Sequence, residues 1–594
     1  MVPSFRIHSS RSTTASLGRF PFVLVIAVVA LVAPSASAQE SLAPPRVESW
    51  RQDLQVMAGL VTKLHANAAH TISRQAFEAE AARLYAAIPT LEEYEIIVRM
   101  AQLMASIGDA HTRLNTRAGA PGVPADVSGG FVRLPLRLQW FAEGLFVRFA
   151  SRELEALVGT RVVEIGAVPV EEAIDRILPV VHYDNDMTRR LLLPGYATTP
   201  AVLRATGVVR RAGPIRFVLE TADGQRVERH VDVSADADAG GVDVGTPPGV
   251  EIPWWRQSRG RPYWLDSIPV ARAIYVQLNA SRQYDDEPMA AFVERLRGLL
   301  EKQDIQRVVL DLRQNDGGDS ELTRPLLALL AAWDGASPDH GLFVLIGRAT
   351  FSAAVVLAAE LERYTGAVLV GEPTGGRPNQ YGEIETFALP HSGLTVSYAS
   401  WYFQTSDPWD ARPWVTPDLF VDLTFEDFSA GRDRVLETAL FYDFRTPPLH
   451  ATLIRVARDQ GVVAALEAYR RFRAAPERRY TSTERALTEL VIDLWRRDQV
   501  AASLPVALLV VDEYPESFEA HENVAEVYAD QGNAREAVRY AIESLRLYPG
   551  NGDALSVLRD VCGDDVLTAF LASDPAGEMG QAMLRAACER ATGR

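Results

Sequence analysis

Lysine is almost absent from this chain of 594 residues: only Lys63 and Lys302 occur, although lysine and arginine together number 60. Cysteine is equally rare, since Cys562 and Cys588 are the only two. For this pair the sequence leaves a disulfide and two buried free thiols open, and it indicates no catalytic cysteine. Basic residues are also outnumbered by acidic ones, 60 against 77. The net charge of -17 argues against binding to a phosphate backbone, so no nucleic-acid partner is expected.

A long apolar run is missing as well. Three arginines precede an apolar run from residue 20 to 32, and Ala36-Ser37-Ala38 fits the small-x-small pattern of signal cleavage. The run is shorter than the roughly 20 residues that a membrane-spanning helix needs. We therefore interpret residues 1–38 as a secretory signal peptide, with an uncleaved membrane anchor as the alternative. The sequence predicts an exported protein, periplasmic or secreted, with no membrane span after cleavage.

The rest of the sequence predicts a multidomain α/β protein that begins with two small domains. Apolar residues three and four positions apart indicate an N-terminal helical domain over 45–118, in which Thr90 and Glu93 form a capping box that opens a helix to Met104. Over 119–245 the apolar period changes to two, which is typical of strands. The run VGTRVVEIGAVPVEEAIDRIL within it resembles a PDZ-like module, which would bind extended peptide along a sheet edge. A plain β-rich linker domain is the alternative.

The second half of the chain is predicted to form an α/β core and a helical tail. Over 246–435 the short runs AIYVQL, RVVLDL, LFVLIG and AVLVGE are typical of buried strands, and amphipathic helices separate them. Residues 446–594 are helical in pattern. Part of this tail fits the 34-residue tetratricopeptide pattern but departs from it at Ala541, so an unrelated helical hairpin bundle is the alternative. The matching positions are Val524, Ala525, Tyr528, Ala537 and Pro549.

Candidate catalytic residues follow the predicted strands of the core. Ser352 comes after a strand that ends near Gly347 and opens a helix, where free amides favour developing negative charge. Taken alone, a serine at such a point is more often a helix N-cap. Gly317 and Gly318 follow the preceding strand and could present amides to a substrate oxygen. A third glycine-bearing loop, 370–377, follows the next strand, and such loops meet in one crevice of an α/β layer.

These motifs together resemble the tail-specific, or C-terminal processing, serine proteases, including their tricorn-like and retinoid-binding-protein-like relatives. The resemblance covers most of residues 50–424. It implies a crotonase-like core, Ser352 as the acyl-forming nucleophile, and oxyanion donors from the Ala353 amide and the Gly317-Gly318 turn. It rests on Asp-x-Arg-x-Asn-x-Gly-Gly at 311–318, Ser352 with Ala353 and Ala354, Gly371-Glu372-x-Thr374, and Pro417-Asp418.

The scarcity of lysine decides which base is expected. Many members of this family use a Ser-Lys dyad, but Arg377 stands at the lysine position and no lysine follows Lys302. Arginine keeps its proton in proteins and cannot act as a general base. His111 lies in a Gly-Asp-x-His-Thr segment that resembles the histidine-using branch, and histidine is the usual partner of a serine nucleophile. The alternative is a histidine that merely ends a helix.

A third group is expected to orient the imidazole. Asp410 lies where the tricorn-like branch carries an acidic residue, and Glu372 and Asp109 are competitors. The serine that precedes the histidine in the tricorn-like branch is replaced by Ala110. No spacing of His, Asp and Glu typical of metal ligands occurs, so we expect no metal and no cofactor.

The predicted activity is that of an exported serine peptidase that hydrolyses peptide bonds through a Ser-His acyl-enzyme mechanism. Its partners would be protein or peptide substrates, and the helical tail could recruit a further protein. Two other functions remain open. One is a catalytically inactive protein-binding scaffold, and the other is an esterase-like hydrolase of small molecules on the same core.

Overall fold

The computed structural model describes residues 46–116, 131–233, 240–302 and 304–564 as a mixed α/β assembly with three β-sheets. The predicted signal peptide lies outside these ranges. Cys562 is disulfide-bonded, whereas Cys588 falls outside the described residues. Within the described part of the chain, no helix has both the length and the apolar character required to cross a bilayer.

The N-terminal region consists of three helices and a short strand. They are α1 (Arg46–Leu64), α2 (Arg74–Ala87), α3 (Glu93–Ala105) and β1 (Arg113–Leu114). The predicted capping box is wrong by two residues, because Ile88, Pro89 and Thr90 form a short 3-10 turn. The cap is instead formed by Glu92, whose amide donates to the Glu95 carboxylate at 2.9 Å. The helix nevertheless extends past Met104 as expected.

The next region is an antiparallel sheet with three helices. Its strands run in the spatial order β2-β3-β4-β6-β7, with β5 beside β4 and β8 beside β3. Its apolar residues and those of the N-terminal helices form one continuous buried cluster, so the two predicted domains share a core. The elements are β2 (Leu136–Phe141), β3 (Gly144–Ser151), β4 (Arg161–Ile165), β5 (Val168–Pro169), α4 (Val170–Ile177), α5 (Asp186–Tyr196), α6 (Pro200–Ala205), β6 (Ile215–Glu220), β7 (Arg226–Val231) and β8 (Gly241–Asp243).

The α/β core contains a six-stranded sheet of order β16-β13-β12-β11-β10-β9, parallel except for the β9–β10 pair. Every residue of β10 and β12 is buried, because helices cover both faces of the sheet. The elements are β9 (Tyr263–Ile268), β10 (Ala273–Leu278), α7 (Met289–Lys302), β11 (Arg307–Asp311), α8 (Arg324–Gly335), β12 (Gly341–Ile346), α9 (Ala353–Tyr364), β13 (Val368–Gly371), β14 (Asn379–Ala388), β15 (Thr395–Gln404), β16 (Leu419–Phe420), α10 (Phe425–Ala430) and α11 (Arg434–Phe441).

A β-hairpin joins the N-terminal helices to the core. Strands β14 and β15 pair in antiparallel register, and β1 adds to the other edge of β15 with Arg113 opposite Ser397. Asp53 of α1 accepts the amides of His391 and Ser392 in the hairpin turn, at 3.0 and 2.8 Å. These contacts fix the segment between α3 and β1, which carries His111, beside the α/β core.

The tail is a series of helices that pack pairwise. The helices are α12 (Leu449–Gln460), α13 (Val462–Ala474), α14 (Glu484–Arg496), α15 (Val500–Glu513), α16 (Phe518–Asp530), α17 (Ala534–Leu547) and α18 (Gly552–Cys562). From α14 onward, alternate helices begin 34 residues apart. Tail and core are in contact, since the Tyr480 ring lies 4.8 Å from that of Phe420 and Trp409 lies 5.4 Å from Phe518.

Candidate active site

Three loops meet at the carboxyl edge of the parallel sheet. They follow β11, β12 and β13, and they are hydrogen-bonded to one another. The Phe351 amide donates to the Asn315 carbonyl, and the Gly375 amide donates to the Thr350 carbonyl, each at 3.0 Å. The sequence-based expectation that these loops converge is therefore confirmed.

Ser352 lies at the end of the loop between β12 and α9. Its backbone has φ +54° and ψ −123°, a conformation that costs a residue with a side chain roughly 1–3 kcal/mol. The serine hydroxyl does not cap the helix, so the N-cap interpretation does not account for this residue. Backbone strain of this kind clusters at functional sites, and here the half-buried serine makes no side-chain hydrogen bond to the helix amides.

The glycine turn after β11 packs directly against Ser352. A Cβ added to Gly317 would lie 2.6 Å from the Ser352 Cβ and 3.1 Å from its Oγ, so only glycine fits there. Gly317 has φ +113° and Gly318 has φ +126°, conformations that favour glycine. The turn is held by Ser281, whose amide donates to the Gly317 carbonyl at 2.8 Å and whose carbonyl accepts the Asp319 amide at 2.7 Å.

The three predicted oxyanion donors differ in availability. The Gly317 amide donates to the Asn315 side chain at 2.9 Å and is therefore occupied. Among the described residues, the amides of Gly318 and Ala353 have no hydrogen-bond acceptor. Both residues line the cavity that contains Ser352. This geometry leaves Gly318 and Ala353 as the two donors free to bind an oxyanion.

His111 lines the same cavity, which has a volume of about 290 Å³. The side chain is buried, and the Phe351 ring stacks on the imidazole with 4.5 Å between centroids. Within the described part of the chain, neither ring nitrogen has a hydrogen-bond partner. Ser352 and the His111 imidazole thus line one cavity, although they are 241 positions apart in the numbering.

Asp109 is the carboxylate next to that imidazole. Its Oδ1 lies 3.4 Å from His111 Nδ1, within ion-pair distance but outside hydrogen-bond alignment, and it accepts the His111 amide at 2.9 Å. Its Oδ2 accepts the Thr112 hydroxyl and lies 3.1 Å from His65 Nε2. Because the Asn67 amide donates to His65 Nδ1, the Nε2 of His65 carries a proton and donates to Asp109.

These contacts keep Asp109 ionised. Burial by itself would raise the pKa of Asp109, but the contacts with His111, His65 and Thr112 outweigh it and hold the pKa below its ordinary value. With Nδ1 of His111 facing this anion, Nε2 is the nitrogen left for a proton from a nucleophile. An anion beside Nδ1 also stabilises the imidazolium that forms when Nε2 takes a proton.

A second buried carboxyl group, Asp184, lies beside the pair. It accepts the Ala110 amide at 2.8 Å through Oδ1, whereas Oδ2 is buried and has no hydrogen-bond partner among the described residues. Burial, reinforced by the negative charge of Asp109, raises the pKa of Asp184 to about 7. Sequence analysis missed this residue, which comes from the loop before α5 and carries no motif.

The other two acidic candidates are engaged elsewhere. Glu372 is buried and forms a bidentate ion pair with Arg348, whose Nε lies 2.9 Å from the carboxylate. Asp410 accepts three hydrogen bonds from the Arg412 guanidinium, at 2.9–3.2 Å, and one from the Arg412 amide, at 3.1 Å. The Asp410 side chain lines a neighbouring cavity of about 240 Å³, and Glu372 lines a third one. Asp109 is the acidic candidate that the structure places against His111.

Arg377, which stands where the sequence resemblance would place a lysine, lines the neighbouring cavity as well. Its Nε and Nη2 donate to the Asp184 carbonyl at 3.1 and 2.9 Å. Gln380, three residues later, donates to the Ser352 carbonyl at 3.1 Å. Gln380 was not identified from the sequence, and only its position shortly after the glycine loop could have suggested it.

The same groups could in principle hold a cation. One ligand atom from each of Asp109, His111 and Asp184 lies within 4.8 Å of the others, a cluster that the sequence spacing did not reveal. Coordination and base catalysis exclude each other, because a histidine nitrogen bound to a metal cannot accept a proton. Asp109 already accepts hydrogen bonds from three residues, which fits the role of a supporting anion.

Comparison with known proteins gives likenesses of fold. No protein-family model and no curated protein matches the chain. Mature CPAF is 12% identical with a TM-score of 0.43, over 70% of this chain and 99% of that one. The photosystem II D1 C-terminal processing protease is 14% identical with a TM-score of 0.31, over 63% and 93%. The tricorn protease is 12% identical with a TM-score of 0.32, over 66% and 36%. At such values the likeness says nothing about the chemistry of the site.

Proposed function

We propose that this protein is a serine peptidase that hydrolyses peptide bonds of proteins through an acyl-enzyme on Ser352, with His111 as general base. One observation carries the proposal: the strained Ser352 and the buried imidazole of His111, which lies beside Asp109, line one cavity with two free amides next to them. The sequence motifs at 311–318 and 371–374 support the same assignment by their resemblance to tail-specific proteases.

In the proposed mechanism, His111 Nε2 takes the Ser352 proton while Oγ attacks the substrate carbonyl. Amides of Gly318 and Ala353 donate to the oxyanion of the tetrahedral intermediate, an interaction in which one donor is worth about 10²–10³ in kcat. Asp109 stabilises the imidazolium. The imidazolium then protonates the leaving amine, and water, activated by His111, hydrolyses the acyl-enzyme.

The domain assignments belong to the same proposal. The six-stranded sheet would be a crotonase-like core, and the antiparallel sheet of 136–243 a PDZ-like module. The 34-residue interval between helix starts supports a tetratricopeptide-like tail, which could hold a protein partner. Export to the periplasm or the medium rests on the N-terminal sequence.

Labelling with a fluorophosphonate, followed by hydrolysis of an unfolded protein, tests the catalytic assignment. Wild-type protein should be labelled at Ser352, and Ser352→Ala should lose both the label and hydrolysis. Ser320→Ala is the matched control, because Ser320 is the other hydroxyl in the cavity and should leave labelling intact. His111→Ala should abolish turnover, whereas His230→Ala, at an exposed histidine, should not.

The outcomes separate the proposal from its rivals. Absence of the label on wild-type protein would favour the inactive protein-binding scaffold. A labelled enzyme that turns over activated esters but no peptide would favour the esterase-like hydrolase. Full peptidase activity in Ser352→Ala or His111→Ala would refute the proposed pair.

A further inference from the structure

Among the described residues, the carboxylates that line the cavity of Ser352 have no lysine or arginine beside them in its wall. The cavity holds two such carboxylates, Asp316 and Glu383. Its remaining wall is largely apolar and includes Val356, Ile384 and Phe403. Both carboxylates are exposed, and no cation of the described residues pairs with either.

The two carboxylates belong to different elements that line the cavity of Ser352. Asp316 directly precedes Gly317, the residue that packs on Ser352. Glu383 lies in β14, four residues after the strand begins at Asn379. The buried imidazole of His111 faces the same space, which marks this cavity as the place where a reacting group binds. A substrate that occupies this cavity would therefore meet two negative charges.

The backbone at Glu383 departs from regular strand geometry. Its φ is +55°, and the Ser400 hydroxyl donates to its carbonyl at 2.8 Å. In a regular strand, successive side chains point to opposite faces. Here the consecutive residues Gly382, Glu383 and Ile384 all line the cavity. Glu383 thus interrupts the regular strand with a left-handed backbone conformation at the point where the strand lines the cavity.

We infer that Asp316 and Glu383 are specificity determinants that select peptides with a basic residue near the scissile bond and disfavour acidic ones. The inference rests on the proposed peptidase function and names its substrate class. An apolar wall with two unpaired carboxylates accommodates the aliphatic stem of lysine or arginine and pairs with its charged end. An acidic residue would meet repulsion and find no cation in the cavity.

Cleavage-site mapping followed by matched peptides tests the inference. Wild-type enzyme first digests a reduced and alkylated protein, and mass spectrometry locates the cuts. Peptides based on one such site then carry lysine, norleucine or glutamate at each of three positions on either side of the cut. At the most sensitive position, kcat/KM for lysine should exceed that for glutamate about tenfold at low salt. In 1 M NaCl the ratio should fall, because exposed charges are screened.

Charge-removing variants assign the effect to its residues. Asp316→Asn and Glu383→Gln should each lower the lysine-to-glutamate ratio by about threefold, and the double variant should bring it close to one. Glu385→Gln is the matched control, because Glu385 is exposed on the same strand but does not line the cavity. This control should keep the wild-type ratio.

The results also distinguish a failure of the inference from a failure of the proposed function. Cleavage of the norleucine peptide with equal rates for lysine and glutamate would overturn the inference and leave the peptidase intact. A preference that survives in the double variant would also overturn it. If wild-type enzyme cleaves neither the protein nor any peptide, the proposed function fails and the inference fails with it.

Discussion

Replacement of Asp109 by asparagine probes the orienting role that we assign to this carboxylate. Asp109 accepts hydrogen bonds from the His111 amide, His65 and Thr112, and it lies 3.4 Å from His111 Nδ1. An asparagine has one acceptor oxygen and one NH₂ group. Whichever way its amide is oriented, the NH₂ group faces at least one of these donors, and the anion beside the imidazole is lost.

The magnitude follows from these contacts. Replacement of the anion that orients a catalytic imidazole by its amide costs about 10⁴ in kcat, so we expect that decrease for Asp109→Asn. A buried donor left without its acceptor costs about 1–3 kcal/mol, and a broken buried ion pair about 3–5 kcal/mol. We therefore expect the free energy of unfolding to fall by about 3 kcal/mol.

The assay compares three variants on one peptide, each well below its own melting temperature. Asp410→Asn and Glu372→Gln remove the other acidic candidates, which pair with Arg412 and Arg348. Both should lower thermal stability, and Glu372→Gln more strongly because its pair is buried, but kcat of the folded fraction should stay within tenfold of wild type. Near-normal kcat in Asp109→Asn would refute the assignment, and a large loss in either other variant would transfer the role to that residue.

Three further predictions concern the same site. Gly317→Ala should lower kcat more than 100-fold, since its Cβ would lie 2.6 Å from that of Ser352. Gly335→Ala is the control, because open space surrounds that position, and it should not lower kcat. Equal activities of the two variants would contradict the packing argument. Burial raises the pKa of Asp184 to about 7, which makes ionisation of this carboxyl group unfavourable in the folded protein. The free energy of unfolding should therefore fall as the pH rises from about 4 to about 7, by at most about 4 kcal/mol at 1.36 kcal/mol per pKa unit. Asp184→Asn should flatten this slope in thermal unfolding, and an unchanged slope would exclude Asp184 as its cause. Treatment with EDTA should leave peptide hydrolysis unchanged, and a loss that Zn²⁺ restores would instead favour a metal at Asp109, His111 and Asp184.

Local patterns made much of the fold predictable. The four β-branched runs of the core are strands in the structure because they are buried on both faces, and the helix after Val170 follows its apolar spacing. The capping box was misplaced because Thr90 and Glu92 both precede α3 and only the backbone decides between them. Domain limits were less visible, since the N-terminal helices and the antiparallel sheet share one buried cluster.

Ser352, the glycine turn and His111 could be proposed from the sequence because each lies in a local motif, and their catalytic roles stay predictions. Asp184 and His65 could not, because their roles depend on burial beside Asp109, and each reaches that carboxylate from a separate segment. The occupied amide of Gly317 was equally hidden, since it depends on the orientation of the Asn315 side chain.

Arg377 links the loop after β13 to the segment that carries His111. Its guanidinium donates to the Asp184 carbonyl, and the Asp184 side chain in turn accepts the amide of Ala110, the residue before His111. Asn185 strengthens the same link by donating to the carbonyl of Thr374 in the loop that carries Arg377. Arg377 thus anchors, through Asp184, the segment that carries His111. An arginine suits that task, because its planar fork can donate two hydrogen bonds to one carbonyl and its charge is permanent.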